Sequence, residues 1–110
     1  MKEIKAYIKE HKLDAVVWEL HKIKNLPGFS VVEVRGCGQQ HFEEGKKCQF
    51  HELVKHAKIE VVCNDELVEE VISTIEKTAH TGLRGDGKIY ISTIDEAVSI
   101  QTGERGAHIV

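Results

Sequence analysis

The chain has 110 residues, 41% of them hydrophobic and 30% charged, and a formal net charge of −3. That length supports one compact domain with a modest core; no apolar run approaches the roughly 20 residues of a membrane helix, and the negative balance gives no reason to expect a nucleic-acid partner. Three cysteines and the charged opening "MKEIKAYIKEHK" fit reduced thiols in a cytoplasmic protein that is not membrane-inserted.

Lys2 to Lys9 alternates, with Ile4, Ala6 and Ile8 on one face and charged groups or Tyr7 on the other, which predicts a half-buried strand. Leu13, Val16, Val17, Leu20 and Ile23 then fall at helical spacing, and "NLPG" at Asn25 to Gly28 stops that helix. Phe29 to Arg35 reads as a second strand, closed by "GCGQ" at Gly36 to Gln39. Gln40 to His56 is polar, poorly periodic and long for a connection between strands, as functional loops in compact domains tend to be. Ala57 to Cys63 predicts a third strand. Asn64 is expected to N-cap the second helix, with Asp65 and Glu66 in its first turn and Leu67, Val68, Val71, Ile72 and Ile75 on its apolar side. Lys88 to Thr93 is the fourth strand, and a short extended piece around Val98 to Gln101 precedes a polar tail.

The order β-α-β-β-α-β predicts a single α+β domain over 1–110 with the ferredoxin-like arrangement, a four-stranded antiparallel sheet carrying both helices on one face. Residues on the other face, Tyr7 among them, would need cover from a second subunit, so a closed homo-oligomer is expected.

Two stretches carry candidate chemistry. In "HTGLRGDGKIYIS", His80 to Ser92, Gly82 is placed to end the helix in a left-handed conformation, the plain reading of such a turn. Gly85, Asp86 and Gly87 could equally cradle an anion, with Arg84 and Lys88 supplying charge. In or beside the long loop, Cys37, His41, Cys48 and His51 form a soft donor set of the kind that holds Zn²⁺ or copper, with His56 nearby. Their spacing, C-x3-H-x6-C-x2-H, matches no standard finger, and a solvated loop with scattered histidines is the competing reading. Elsewhere, Cys63 reads as an apolar filler, His80 as a helix cap, Asp14 as an early-helix charge and Trp18 as packing or a partner surface. No nucleophile stands beside a base and an orienting group, so no enzyme is indicated, and slow ATP hydrolysis is the one activity left to test.

The ordered set "MKEIKAYIK", "HKLDAVVWEL", "VVEVRGCGQQ", "KIEVVC", "TAHTGLRGDGKIYIS" and "TGERG" resembles the P-II signal-transduction proteins over nearly the whole chain. The resemblance implies a cyclic homotrimer of non-enzymatic regulators that bind ATP, ADP or AMP in clefts between subunits and touch a target protein through a flexible T-loop. Here that loop would be about 39–56, with Gly36, Cys37, Gly38, Gln39 and Gln40 at its base and Gln40 helping to hold Mg²⁺. The phosphate-cradling B-loop would be about 80–88, with Arg84, Gly85, Asp86, Gly87 and Lys88, and Ser30, Glu60 and Val62 would meet adenine and ribose. Within the C-terminal segment of about 98–110, Ser99 and Gln101 stand where the family commonly has phosphate-binding arginines, which disfavours ATP relative to ADP or AMP. His56 stands where a lysine pairs with 2-oxoglutarate. Tyr7 and Tyr90 are the only tyrosines and neither lies in the loop, which argues against uridylylation. The short loop looks most like an atypical P-II-like branch whose genes often lie beside heavy-metal efflux systems, which points to a membrane transporter as target.

Overall fold

A computed structural model describes residues 1–38 and 53–110. Its elements are β1 (Lys2–Lys9), α1 (Leu13–His21), β2 (Ser30–Gly36), β3 (Val54–Cys63), α2 (Val68–Ala79) and β4 (Gly87–Thr93), with single turns of 3-10 helix at Glu10–Lys12, Asp65–Leu67 and Ala107–Ile109. The strands form one sheet in the order β2-β3-β1-β4, and every neighbouring pair is antiparallel. This is the ferredoxin-like βαββαβ arrangement expected from the sequence.

Strand periodicity explains where the core sits. Ile4, Ala6 and Ile8 of β1 lie opposite Val61, Ile59 and Ala57 of β3, so one register places six small or branched apolar side chains on one face. Val16 and Leu20 of α1 and Val71, Ile75 and Ala79 of α2 close over them. Cys63 is buried in that layer and burial pushes its thiol up, which leaves it an inert filler. Ile75 has essentially no exposed surface, so Ile75→Val should lower the unfolding free energy by about 1 kcal/mol through one lost methylene and an incompletely filled void. Urea unfolding with an unchanged m-value would show it.

Four local expectations are corrected. β3 begins at Val54 rather than Ala57, because Val54, Lys55 and His56 pair with Gly36, Arg35 and Val34 of β2. Asn64 makes no side-chain cap; its carbonyl accepts a hydrogen bond from Leu67 N–H at 3.0 Å, and a 3-10 turn leads into α2 at Val68. Gly82 does not end α2. The helix stops at Ala79, His80 takes an extended conformation with its N–H bonded to Glu76 O at 3.1 Å, and Gly82, at φ 82°, lies inside the turn beyond. Extended structure between Val98 and Gln101 reduces to one bridge, Val98 to Arg105, closing a small hairpin in which Ser99 N–H donates to Glu104 O at 2.9 Å.

Candidate functional site

Opposite the helices, the register stacks side chains in rows across the sheet. Val34, His56 and Lys9 share one row, Val32, Lys58, Tyr7 and Lys88 the next, and Ser30, Glu60, Lys5 and Tyr90 the third. At the end where β2 leaves the sheet and β4 enters it, these rows and the flanking loops surround an open cleft of about 1020 Å³. Gly36, Cys37 and Gly38 line one side; Gly85, Asp86, Gly87 and Lys88 line the other; Tyr7 and Tyr90 form part of the floor. The two tyrosines meet edge to face, their ring centroids 6.0 Å apart.

The turn before β4 is held from within. The Asp86 carboxylate accepts hydrogen bonds from Thr81 N–H at 2.8 Å, Gly82 N–H at 2.9 Å and the Thr81 hydroxyl, and Lys9 Nζ pairs with it at 3.1 Å. Lys9 also donates to Thr81 Oγ1 at 3.1 Å, and that oxygen accepts from Leu83 N–H. The Thr81 hydroxyl, its amide and then Lys9 hold the Asp86 carboxyl well below the usual carboxylate range. Asp86 thus lines the cleft while its charge is turned to its own loop. Sequence reasoning missed Thr81 and Lys9 in this role. Thr81 was visible in principle as a hydroxyl five residues before an aspartate in a glycine turn, whereas nothing local marks Lys9.

A carboxylate whose folded pKa is depressed stabilises the fold in full above its unfolded pKa of about 4; the contribution declines as pH falls below that value and is gone only once pH has passed through the much lower folded value. Asp86→Asn should therefore lower the melting temperature at pH 7 and narrow the gap between melting at pH 7 and at pH 3. Glu60 and Asp65, held low by Lys58 and by the N-terminal amine, retain part of the acid dependence in that variant. Differential scanning calorimetry at the two pH values reads both effects.

Lys88 is the cation best placed for a ligand. It sits opposite Tyr7 in the ladder, is exposed, and has no hydrogen-bond or ion-pair partner among the described residues. Lys5 is paired with Glu3 at 3.2 Å. Gly85 at φ 85° and Gly87 at φ 109° give the turn a left-handed backbone that a side chain would strain.

The other expected site residues are dispersed. Ser30 and Glu60 face one another across β2 and β3, Val62 lies one row further on, and none of the three lines the cleft within one chain. Glu60 is tied to Lys58 at 2.7 Å. Arg84 lines a neighbouring hollow instead. Gln39 and Gln40 lie outside the described residues, as do His41, Cys48 and His51 of the candidate metal set and most of the 39–56 loop. Cys37 alone of that set is described, and among the described residues no three His, Cys, Asp or Glu side chains are grouped to hold a metal ion.

The sequence profile of the family described as Nitrogen regulatory protein P-II matches residues 1–104. The chain belongs to the P-II family. The nitrogen regulatory protein P-II of Azospirillum brasilense is 42% identical over 113 aligned residues that cover both chains fully. That of Rhodospirillum rubrum is 43% identical with the same coverage. Nitrogen regulatory protein P-II 2 of Methanothermobacter thermautotrophicus is 45% identical over all of this chain and 97% of its own. P-II proteins are signal-transducing regulators rather than enzymes. Among the described residues no helix is long and apolar enough to cross a membrane.

Proposed function

We propose that this P-II chain binds an adenine nucleotide at the cleft between the 36–38 segment and the 85–88 turn, and that occupancy controls a partner protein through the 39–56 loop. The observation that carries the reading is the convergence of two glycine-containing segments, distant in sequence, on one cleft that Lys88 also lines, a cation without an ion pair or hydrogen bond among the described residues. Backbone N–H groups in a left-handed turn together with a lysine suit a di- or triphosphate, so the residues fit the group. The nucleotide would supply negative charge there, and its arrival would favour one arrangement of the adjoining loop.

A cyclic homotrimer accompanies this reading. Tyr90 is 54% exposed and Val32 is exposed on the helix-free face, apolar surface that a second copy would cover. Ser30, Glu60 and Val62 could then meet the base from a neighbouring subunit. A membrane transporter is the target class that the short-loop resemblance favours, and Mg²⁺ would accompany ATP.

Isothermal titration of the full chain with ATP, ADP and AMP, each with and without Mg²⁺, is the test. Saturable binding at micromolar protein is expected, with ADP or AMP at least equal to ATP because Ser99 and Gln101 offer no charge to a third phosphate. No heat with any nucleotide, together with empty clefts in crystals grown in their presence, would sink the reading. Light scattering after size exclusion reads the trimer independently.

A further inference from the structure

On the outer side of the same turn lies a second hollow of about 480 Å³, which among the described residues shares His56 and Gly85 with the cleft. Three parts of the chain build it: the 3-10 turn after β1, the start of β3 and the turn before β4. Among the described residues, Lys9, His11, Lys55, His56 and Arg84 line it, against one acid, Glu10. The chain as a whole is acidic, with a net charge of −3, so this basic surface is a local construction rather than a reflection of composition.

The cations differ in what they are free to do. Lys9 is engaged by Asp86 and Thr81, whereas His11, Lys55 and Arg84 are exposed and have no ion-pair or hydrogen-bond partner among the described residues. Apolar surface adjoins them: Val54 in the lining is 36% exposed, and Leu83, next to Arg84, is 72% exposed. A solvated charged face ordinarily mixes signs and lacks large apolar groups. Converging cations around a hollow with an apolar rim instead match a segment whose carboxylates flank an apolar side chain, because guanidinium binds carboxylate in two parallel hydrogen bonds while the rim excludes water.

We propose that this hollow docks an acidic peptide segment of the partner protein, one carrying glutamate or aspartate around an apolar residue. The proposal rests on the reading that the chain acts through a partner, but it does not depend on nucleotide binding. Docking here would give the partner a contact on the first residues of β3 and the turn before β4.

The test uses the full chain and a fluorescein-labelled peptide of glutamates and leucines, followed by anisotropy, with the peptide in which lysine replaces glutamate as the comparison. Saturable binding of the acidic peptide alone is expected, weakening as salt rises. Arg84→Glu, and separately the pair His11→Glu with Lys55→Glu, should each weaken it about tenfold or more, with Lys55→Gln intermediate and Lys77→Glu on α2 near the wild-type value. Circular dichroism establishes that each variant is folded. The His11→Glu/Lys55→Glu protein should still bind nucleotide by calorimetry as the wild type does. Loss of nucleotide binding in every protein with peptide binding intact would remove the nucleotide reading and leave the docking site standing. The docking site is overturned by no anisotropy change, or by equal loss in Lys77→Glu. Full displacement of the peptide by glutarate near the peptide's own Kd would overturn it too, in favour of a site for a free dicarboxylate. A change of oligomeric state in the charge-reversal variants would show a contact between copies of the chain and would likewise overturn it.

Discussion

Gly87→Ala is expected to lower the unfolding free energy by about 3 kcal/mol or more, the largest stability effect of any substitution in the turn. Two independent penalties coincide there. The residue has φ 109°, a conformation that side chains rarely adopt, and a Cβ added to it would stand 1.7 Å from the carbonyl oxygen of Tyr7 and 2.8 Å from its carbonyl carbon. Those atoms are backbone in the central strand β1, so they cannot swing aside as a side chain would, and either β4 detaches or the ladder shifts. Gly85→Ala is the matched comparison. It has a similar left-handed backbone at φ 85°, but its nearest neighbour is Lys9 Cε at 3.8 Å, so the penalty is conformational alone, about 1 kcal/mol. Urea unfolding of the two variants separates the effects. Equal losses would mean that the close approach to Tyr7 can relax, and the structural role assigned to Gly87 would fall.

Lys88→Ala is expected to weaken adenine nucleotide binding by about tenfold to a hundredfold, the range for losing one charge-assisted hydrogen bond to phosphate. Its effect on stability should be small, since Lys88 is exposed and makes no ion pair or hydrogen bond among the described residues. Lys88→Arg retains the charge and should recover much of the affinity, provided the longer fork can reach a phosphate oxygen. Calorimetry with ADP on the three proteins, at two salt concentrations, checks both statements. Unchanged affinity in Lys88→Ala would move the phosphates away from this turn.

The contrast between Gly87 and Lys88 shows how two neighbours in one motif carry different kinds of constraint. The glycine is demanded by the ladder whether or not a ligand binds, and the lysine has no structural task. Asp86 belongs with the glycine: its carboxylate organises the turn that presents Lys88. Variants of Asp86 should therefore affect binding indirectly, through the shape of the turn, and show it as a joint loss of affinity and thermal stability.

Much of the fold was legible in local pattern. The alternation of Ile4, Ala6 and Ile8, the helical spacing of Val16 and Leu20, and that of Val71 and Ile75 each predict a buried face, and all seven side chains are buried. Those patterns are readable because burial of one face imposes period 2 or 3.6 on residues close in sequence. The glycine-rich segment before β4 was legible as a turn with left-handed glycines, and the ordered motifs by themselves indicated the P-II family. Where β3 starts was not legible, since "VKH" has no strand signature of its own and is extended only because β2 supplies its partners.

By itself, then, the sequence determined the element order, the faces that pack, the family and the presence of a glycine turn with an attached lysine. The tertiary structure alone decided which groups meet. Lys9 reaches Thr81 across 72 positions, Gly87 lies beneath the Tyr7 carbonyl, and the 36–38 segment comes to face the 85–88 turn. Periodicity carries information over a few residues, while such encounters depend on strand order and register, which sum weak preferences over the whole sheet.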